Sequence, residues 1–233
     1  MTSIDRLSAK LDAVVQAAIV GFVGAMPVSI AFTQSALGIA WIAWLAKCLV
    51  EKKWRGFRTD LDLAIGLFFA ACLAATVFSI HPLESLIGLK KFYLTSAVYL
   101  AAFNVRSLRR FQELLGLLVG MTALTGLYGI PYYFFAHQER LLSTQGMAMT
   151  SGGIYMMIAL LALALAWRYW TQSLLRAASG GAAIVAVAAL ALTKTVSSYA
   201  GWLFGLITLL FSAKRAVVAV IVVVLSAGLL LLV

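Results

Sequence analysis

The feature that most constrains this chain is a run without charge. Residues 13–46 contain no Asp, Glu, Lys or Arg for 34 positions, and two further uncharged runs, of seventeen and nineteen residues, flank Lys194. A helix needs only ~20 apolar residues to cross the ~30 Å hydrocarbon core of a bilayer. Membrane β-barrels are built instead from alternating segments of ~10 residues, and these runs are too long and too unalternating for that. Composition agrees: 64% of residues are hydrophobic and 11% charged, against about 25% charged in soluble domains. Mean hydropathy is +1.02. The chain reads as an all-α, polytopic integral membrane protein forming a single transmembrane domain over 1–233.

The run 13–46 is too long for one crossing, and Pro27 provides the break for a hairpin. Spans are expected near 13–29, 31–50, 63–80, 86–105, 114–136, 151–168, 177–194, 198–213 and 216–233. The fourth carries Lys90 and Lys91 in its first turns. The seventh and eighth are separated only by the TKTVS segment, which predicts a sharp re-entrant turn.

Lys and Arg concentrate in cytoplasmic loops of membrane proteins. With nine spans and a cytoplasmic N-terminus, 14 of the 18 basic residues fall on the cytoplasmic side. The other side keeps Lys90, Lys91, Arg140 and Lys194. The net charge of +10 therefore describes topology, with basic loops facing anionic headgroups, and a nucleic-acid partner is not expected. Asp5, Arg6, Lys10 and Asp12 precede the first apolar run, which argues against a cleavable signal peptide. Cys48 and Cys72 fall in spans and read as apolar packing rather than as a disulfide or metal site.

All eight carboxylates fall at predicted helix ends or in loops, so neither a proton relay nor a metal cage is expected, and no cofactor is implied. Lys194 must therefore face the outer interface or a polar cavity. A cationic, hydroxyl-bearing cavity suits an anionic lipid headgroup, above all a pyrophosphate with its many acceptor oxygens. Helix starts turned into it would add backbone N–H donors. Thr195 and Ser197 fit that picture, although hydroxyls also serve helix–helix packing. Gly201-xxx-Gly205 and Gly116-xxx-Gly120 read as packing faces.

The segment LALTKTVSSYAGWLFGLITLLFSAKR resembles the signature span of the O-antigen ligase and polymerase family: an apolar run, T-x-[ST]-R-[GS]-[AS]-[WY]-x-G, another apolar run and a basic pair. Thr193, Thr195, Ser197, Ser198, Tyr199 and Gly201 fall on that pattern. RLLSTQGMAMTSGGIYMMIALL is similar to the preceding motif, placing Arg140, Met149, Thr150 and Gly152. The resemblance implies a metal-independent glycan transferase on the periplasmic side of the bacterial inner membrane. Such an enzyme takes a glycan from undecaprenyl pyrophosphate to a lipid A core acceptor; a polymerase of O-antigen or exopolysaccharide passes it to a growing glycan. Arg140 would then be the loop arginine, and Lys194 with Lys90 or Lys91 the carrier-phosphate ligands. Of the two histidines, His81 reads as interfacial, and His137 is the candidate base.

Two departures shape the expectation. Val196 stands at the motif arginine, and Lys194, two residues earlier, would project about 200° away on an α-helix. The last predicted span reaches Val233 before the large periplasmic loop of the family, so the chain reads as a fragment, or as a split protein completed by a second chain. The alternative from a different class is a non-enzymatic membrane carrier for an anionic lipid.

Overall fold

The computed structural model describes residues 3–52 and 59–212, and every regular element among them is helical. The α-helices are α1 (Ser3–Ala25), α2 (Ile30–Glu51), α3 (Asp62–Val77), α4 (Pro82–Leu89), α5 (Ser96–Asn104), α6 (Leu108–Phe135), α7 (Ala148–Arg168), α8 (Ser173–Thr193) and α9 (Val196–Ser212). Short 3-10 segments occupy Lys90–Thr95 and Ser143–Gln145. Helices α1, α2, α6, α7 and α8 are long and apolar enough to cross a membrane. The protein is a membrane-embedded helical protein.

Several boundaries differ from the expected spans, each for a local reason. Helix α1 starts at Ser3, well before residue 13, because its early polar residues find partners on α2. Asp12 forms an ion pair with Lys47, and the Ser8 hydroxyl donates to Glu51 at 2.5 Å. Pro27 lies in the turn between α1 and α2, where the amides of Val28 and Ser29 both donate to the Ala25 carbonyl. The fourth expected span begins earlier, at Pro82, and runs in three pieces to Asn104. Proline suits a first helical position because that N–H has no intrahelical acceptor. The Thr95 hydroxyl donates to the Phe92 carbonyl at 2.6 Å, three residues back, the spacing of the tighter 3-10 turn. Helix α3, at 16 residues, is about 24 Å long and falls short of a full hydrocarbon core. The ninth expected span, 216–233, lies outside the described residues.

Among the described residues the chain divides into two compact units: 3–21 with 34–52 and 59–112, and 22–33 with 113–212. In the first, the Gln16 side chain donates to the Asn104 carbonyl at 3.1 Å, and the Trp41 indole donates to Ser96 at 2.8 Å. Trp44 stacks on Phe103 at 5.7 Å between ring centroids. Helix α3 folds back along α4 and α5: the Phe92 ring lies 4.5 Å from that of Phe69, and the Tyr99 hydroxyl donates to Asp62 at 3.0 Å.

The second unit is built on small residues. Ala159 and Ala162 of α7 and Ala186 and Ala189 of α8 are fully buried, and their short side chains let the two helices approach closely. Lipid tails are as apolar as leucine, so helices associate in a bilayer by close packing rather than by escape from solvent. Gly126 admits α8 to α6: a Cβ there would stand 2.8 Å from Val185. Gly201 and Gly205 do the same for α9 against Met156 and Leu160 of α7, as their spacing predicted. Gly116 and Gly120 differ, since a Cβ at either would meet nothing within 4 Å; that pair is not a packing face among the described residues.

Candidate functional site

The connection between α8 and α9 is two residues long. Lys194 caps α8 in the left-handed conformation, with φ 51° and ψ 39°, which costs a residue other than glycine about 1–2 kcal/mol. Lys194 therefore lies off both helices, and the 200° separation from position 196 that an unbroken helix would impose does not apply. Its side chain is exposed, as is that of Val196. The Thr195 carbonyl accepts from the amides of Ser198 and Tyr199, at 3.1 and 3.2 Å. The Tyr199 hydroxyl reaches back over the corner to the Ala191 carbonyl at 2.5 Å.

Helix α7 begins against this corner. The Thr195 hydroxyl donates to the Ala148 carbonyl at 3.4 Å and to the Thr193 carbonyl at 3.3 Å. Gly152 makes the approach possible, because a Cβ there would lie 2.8 Å from the Ser198 hydroxyl and 3.1 Å from that of Thr193. Ser151, Thr193, Thr195 and Ser198 are all buried around it.

The loop between α6 and α7 is tied to the same place. Helix α6 closes with the Gln138 amide on the Tyr133 carbonyl and the His137 amide on that of Phe134. His137 is left-handed between them, φ 48°, a standard helix-ending pair of bonds. The Leu141 amide then donates to the Leu192 carbonyl at 2.9 Å. That bond sets the residue after Arg140 against the residue two before Lys194. Further along, Ser143 and Tyr155 share a hydroxyl bond of 2.8 Å, and Ser151 donates to the Leu142 carbonyl at 2.6 Å. Thr144 and Gln145 reach the carbonyls of Pro27 and Met26, each at 2.8 Å.

One end of the second unit thus carries Arg140 and Lys194, both exposed, together with the starts of α7 and α9. The first amides of a helix have no intrahelical acceptor and carry partial positive charge, so both starts favour an anion. Ser197, exposed in the first turn of α9, adds a hydroxyl. His137, exposed, opens the same loop. Thr195, by contrast, is 6% exposed, with its hydroxyl committed to joining α7 to the corner. Arg168 and Arg176 lie at the opposite end, where α7 passes into α8.

Lys90 and Lys91 belong to the first unit. Expected within the first turns of a span from residue 86, they follow two turns of a helix that starts at Pro82, at the change from α4 to the 3-10 segment. Among the described residues no three His, Cys, Asp or Glu gather as metal ligands would.

The sequence did not point to Ser143, Ser151 or Tyr155 as the residues that hold the Arg140 loop. The only signal was Gly152 seven positions beyond a polar loop, facing a hydroxyl cluster spaced 193, 195, 198. Compared with known proteins, the chain matches no family model, no curated protein and no solved structure.

Proposed function

We propose that the chain is a membrane glycan ligase of O-antigen ligase type, working in a bacterial inner membrane. It would pass a glycan from undecaprenyl pyrophosphate to a lipid A core acceptor in lipopolysaccharide assembly. The observation that supports this reading is that Arg140, Lys194 and two helix starts lie at one end of the second unit, where the Leu141 amide bonds to the Leu192 carbonyl. Two cations and two helix starts suit a diphosphate better than a single charge. In the reaction, an acceptor hydroxyl attacks the anomeric carbon and the bond from that carbon to the pyrophosphate oxygen breaks. On this reading Arg140 and Lys194 stabilise the charge growing on the departing oxygen, and His137 takes the hydroxyl proton. This chemistry calls for no metal and no nucleotide sugar.

The test uses the full chain in vesicles, with polyprenyl diphosphate as the binding probe and a lipid-linked glycan as the transfer substrate. Each charge-assisted contact is worth about 1.5–3 kcal/mol, so Lys194→Ala and Arg140→Ala should each weaken binding roughly tenfold or more. Arg168→Ala, at the other end of α7, should leave it unchanged. Lys194→Gly keeps the left-handed turn and removes the charge, so it should lose binding while its Tm holds or rises. Equal binding by all four variants rejects the site. The second reading, a carrier of anionic lipid, is favoured by Val196, 78% exposed where the motif has arginine. Diphosphate binding without glycan transfer selects it.

A further inference from the structure

Helices α7 and α8, of 21 residues each, are both long and apolar enough to cross a membrane. They run antiparallel: Tyr155 and Ala159 cluster with Ala186, Ala189 and Leu190, and Ala162 clusters with Ala182 and Ala183. At ~1.5 Å per residue each helix is about 31 Å long, which matches the ~30 Å hydrocarbon core. The connection between them, residues 169–172, therefore lies at one face of the bilayer. Arg140 and Lys194 belong to the other end of the pair.

Two arginines flank this turn, and their helices treat them differently. Arg168 stands in the last turn of α7, where the negative end of the helix dipole favours a cation. Arg176 stands in the first turn of α8, its amide donating to the Gln172 carbonyl at 2.9 Å, and there the dipole disfavours it. No acidic residue offsets it. The first turn of α8 holds none, and none occurs between Leu141 and Ser212. Among the described residues Arg176 pairs with no carboxylate, Glu113 of α6 included. Its side chain turns back over the connection instead. The guanidinium carbon lies 5.0 Å from the centre of the Trp170 ring, and Nη1 donates to the Trp170 carbonyl at 3.3 Å. The residue is exposed, and the rest of its N–H fork makes no further bond among the described residues.

Tryptophan at a membrane face sets its ring at headgroup level, and arginine reaches the same level while its stem lies along apolar surface. Trp170 is 65% exposed and Leu174, in the first turn of α8, is 80% exposed, so both are open to lipid. We infer that the α7–α8 turn binds the headgroup of one anionic phospholipid, its phosphate on the Arg176 guanidinium that Trp170 holds in place. A guanidinium presents a planar fork to phosphate oxygens, and stacking on the indole fixes the plane of that fork before the lipid arrives. The headgroup is net anionic, because a zwitterionic one would bring its own cation to a turn with two arginines and no acid. This site faces the opposite side of the membrane from Arg140 and Lys194 and does not rest on the glycan-transfer reading.

Native mass spectrometry tests this on the full chain, from micelles carrying phosphatidylglycerol and phosphatidylcholine in equal amounts. The wild type should retain one phosphatidylglycerol in preference to phosphatidylcholine. Arg176→Ala should lower that preference about fivefold, the contribution of one arginine at a leaflet surface. Trp170→Leu keeps apolar bulk without the ring and should lower it roughly twofold. Arg176→Lys keeps the charge without the planar fork and should fall between wild type and Arg176→Ala. Phosphatidylglycerol should also raise the Tm of the wild type above its value in phosphatidylcholine, and this increment should vanish in Arg176→Ala. Loss of the bond to the Trp170 carbonyl alone would lower both Tm values and keep the increment. Equal retention of the two lipids by the wild type overturns the proposal, as does a preference or an increment that survives Arg176→Ala. Full preference in both Arg176→Lys and Trp170→Leu overturns the role of the indole.

Discussion

Helices α8 and α3 are both apolar, yet one is enclosed and the other is bare. In α8, Ala182, Ala183, Ala186, Ala189 and Leu190 are buried. In α3 only Thr76 is buried, and Leu63, Leu67, Phe68 and Val77 are more than half exposed. Hydrophobicity does not separate them. Side-chain size does, because helices in lipid gain by approaching closely and alanine permits it. The large side chains of α3 hold its neighbours off along part of its length, and a cleft results. The comparison teaches that the second unit packs closely behind a loop and a corner, whereas the first leaves a cleft beside α3.

The largest expected effect that tests this contrast is at Gly152. Gly152→Val should drive side-chain carbon into Ser198, Thr193 and Thr195 and cost about 2–3 kcal/mol, read as a fall in Tm of the full chain in micelles. A Tm within a degree of wild type would mean that the corner is not close-packed. Next comes Tyr155→Phe, which removes the bond to Ser143 and should cost about 1 kcal/mol. It should also quicken hydrogen exchange in the Arg140 loop, and unchanged exchange there would disconnect Tyr155 from that loop. Smallest is Gly66→Ala on α3, where a Cβ meets nothing within 4 Å. Helix propensity alone should act, raising stability by up to about 1 kcal/mol. A clear loss there would show that α3 is covered more tightly than its exposure indicates, and the contrast with α8 would fail.

The candidate site was legible in part. Arg140 and Lys194 stood out as cations remote from the other basic residues, and the short spacer before Val196 announced a turn. The bond that sets their two segments side by side, from Leu141 to Leu192, was not legible, because backbone bonds carry no side-chain signature. Thr195 was read as a ligand because hydroxyl and lysine were adjacent in sequence. Its burial against Ala148 turns it to a structural task, and only the position of α7 reveals this. Lys90 and Lys91 were set within the first turns of a span from residue 86 because hydropathy resumes there, while the helix starts at Pro82.

By itself the sequence determined the class of this protein, the break at Pro27 and the approximate positions of its long helices. Those follow from local rules: uncharged length against bilayer thickness, and proline against a helical N–H. Only the tertiary structure decided which helices pack closely, which glycines are occupied faces, that Lys194 leaves the helix, and that the helical segment after α3 is broken beside a cleft. Each of these depends on which side chains meet across elements far apart in the chain, and apolar runs of equal hydropathy do not encode that until their sizes and shapes are brought together.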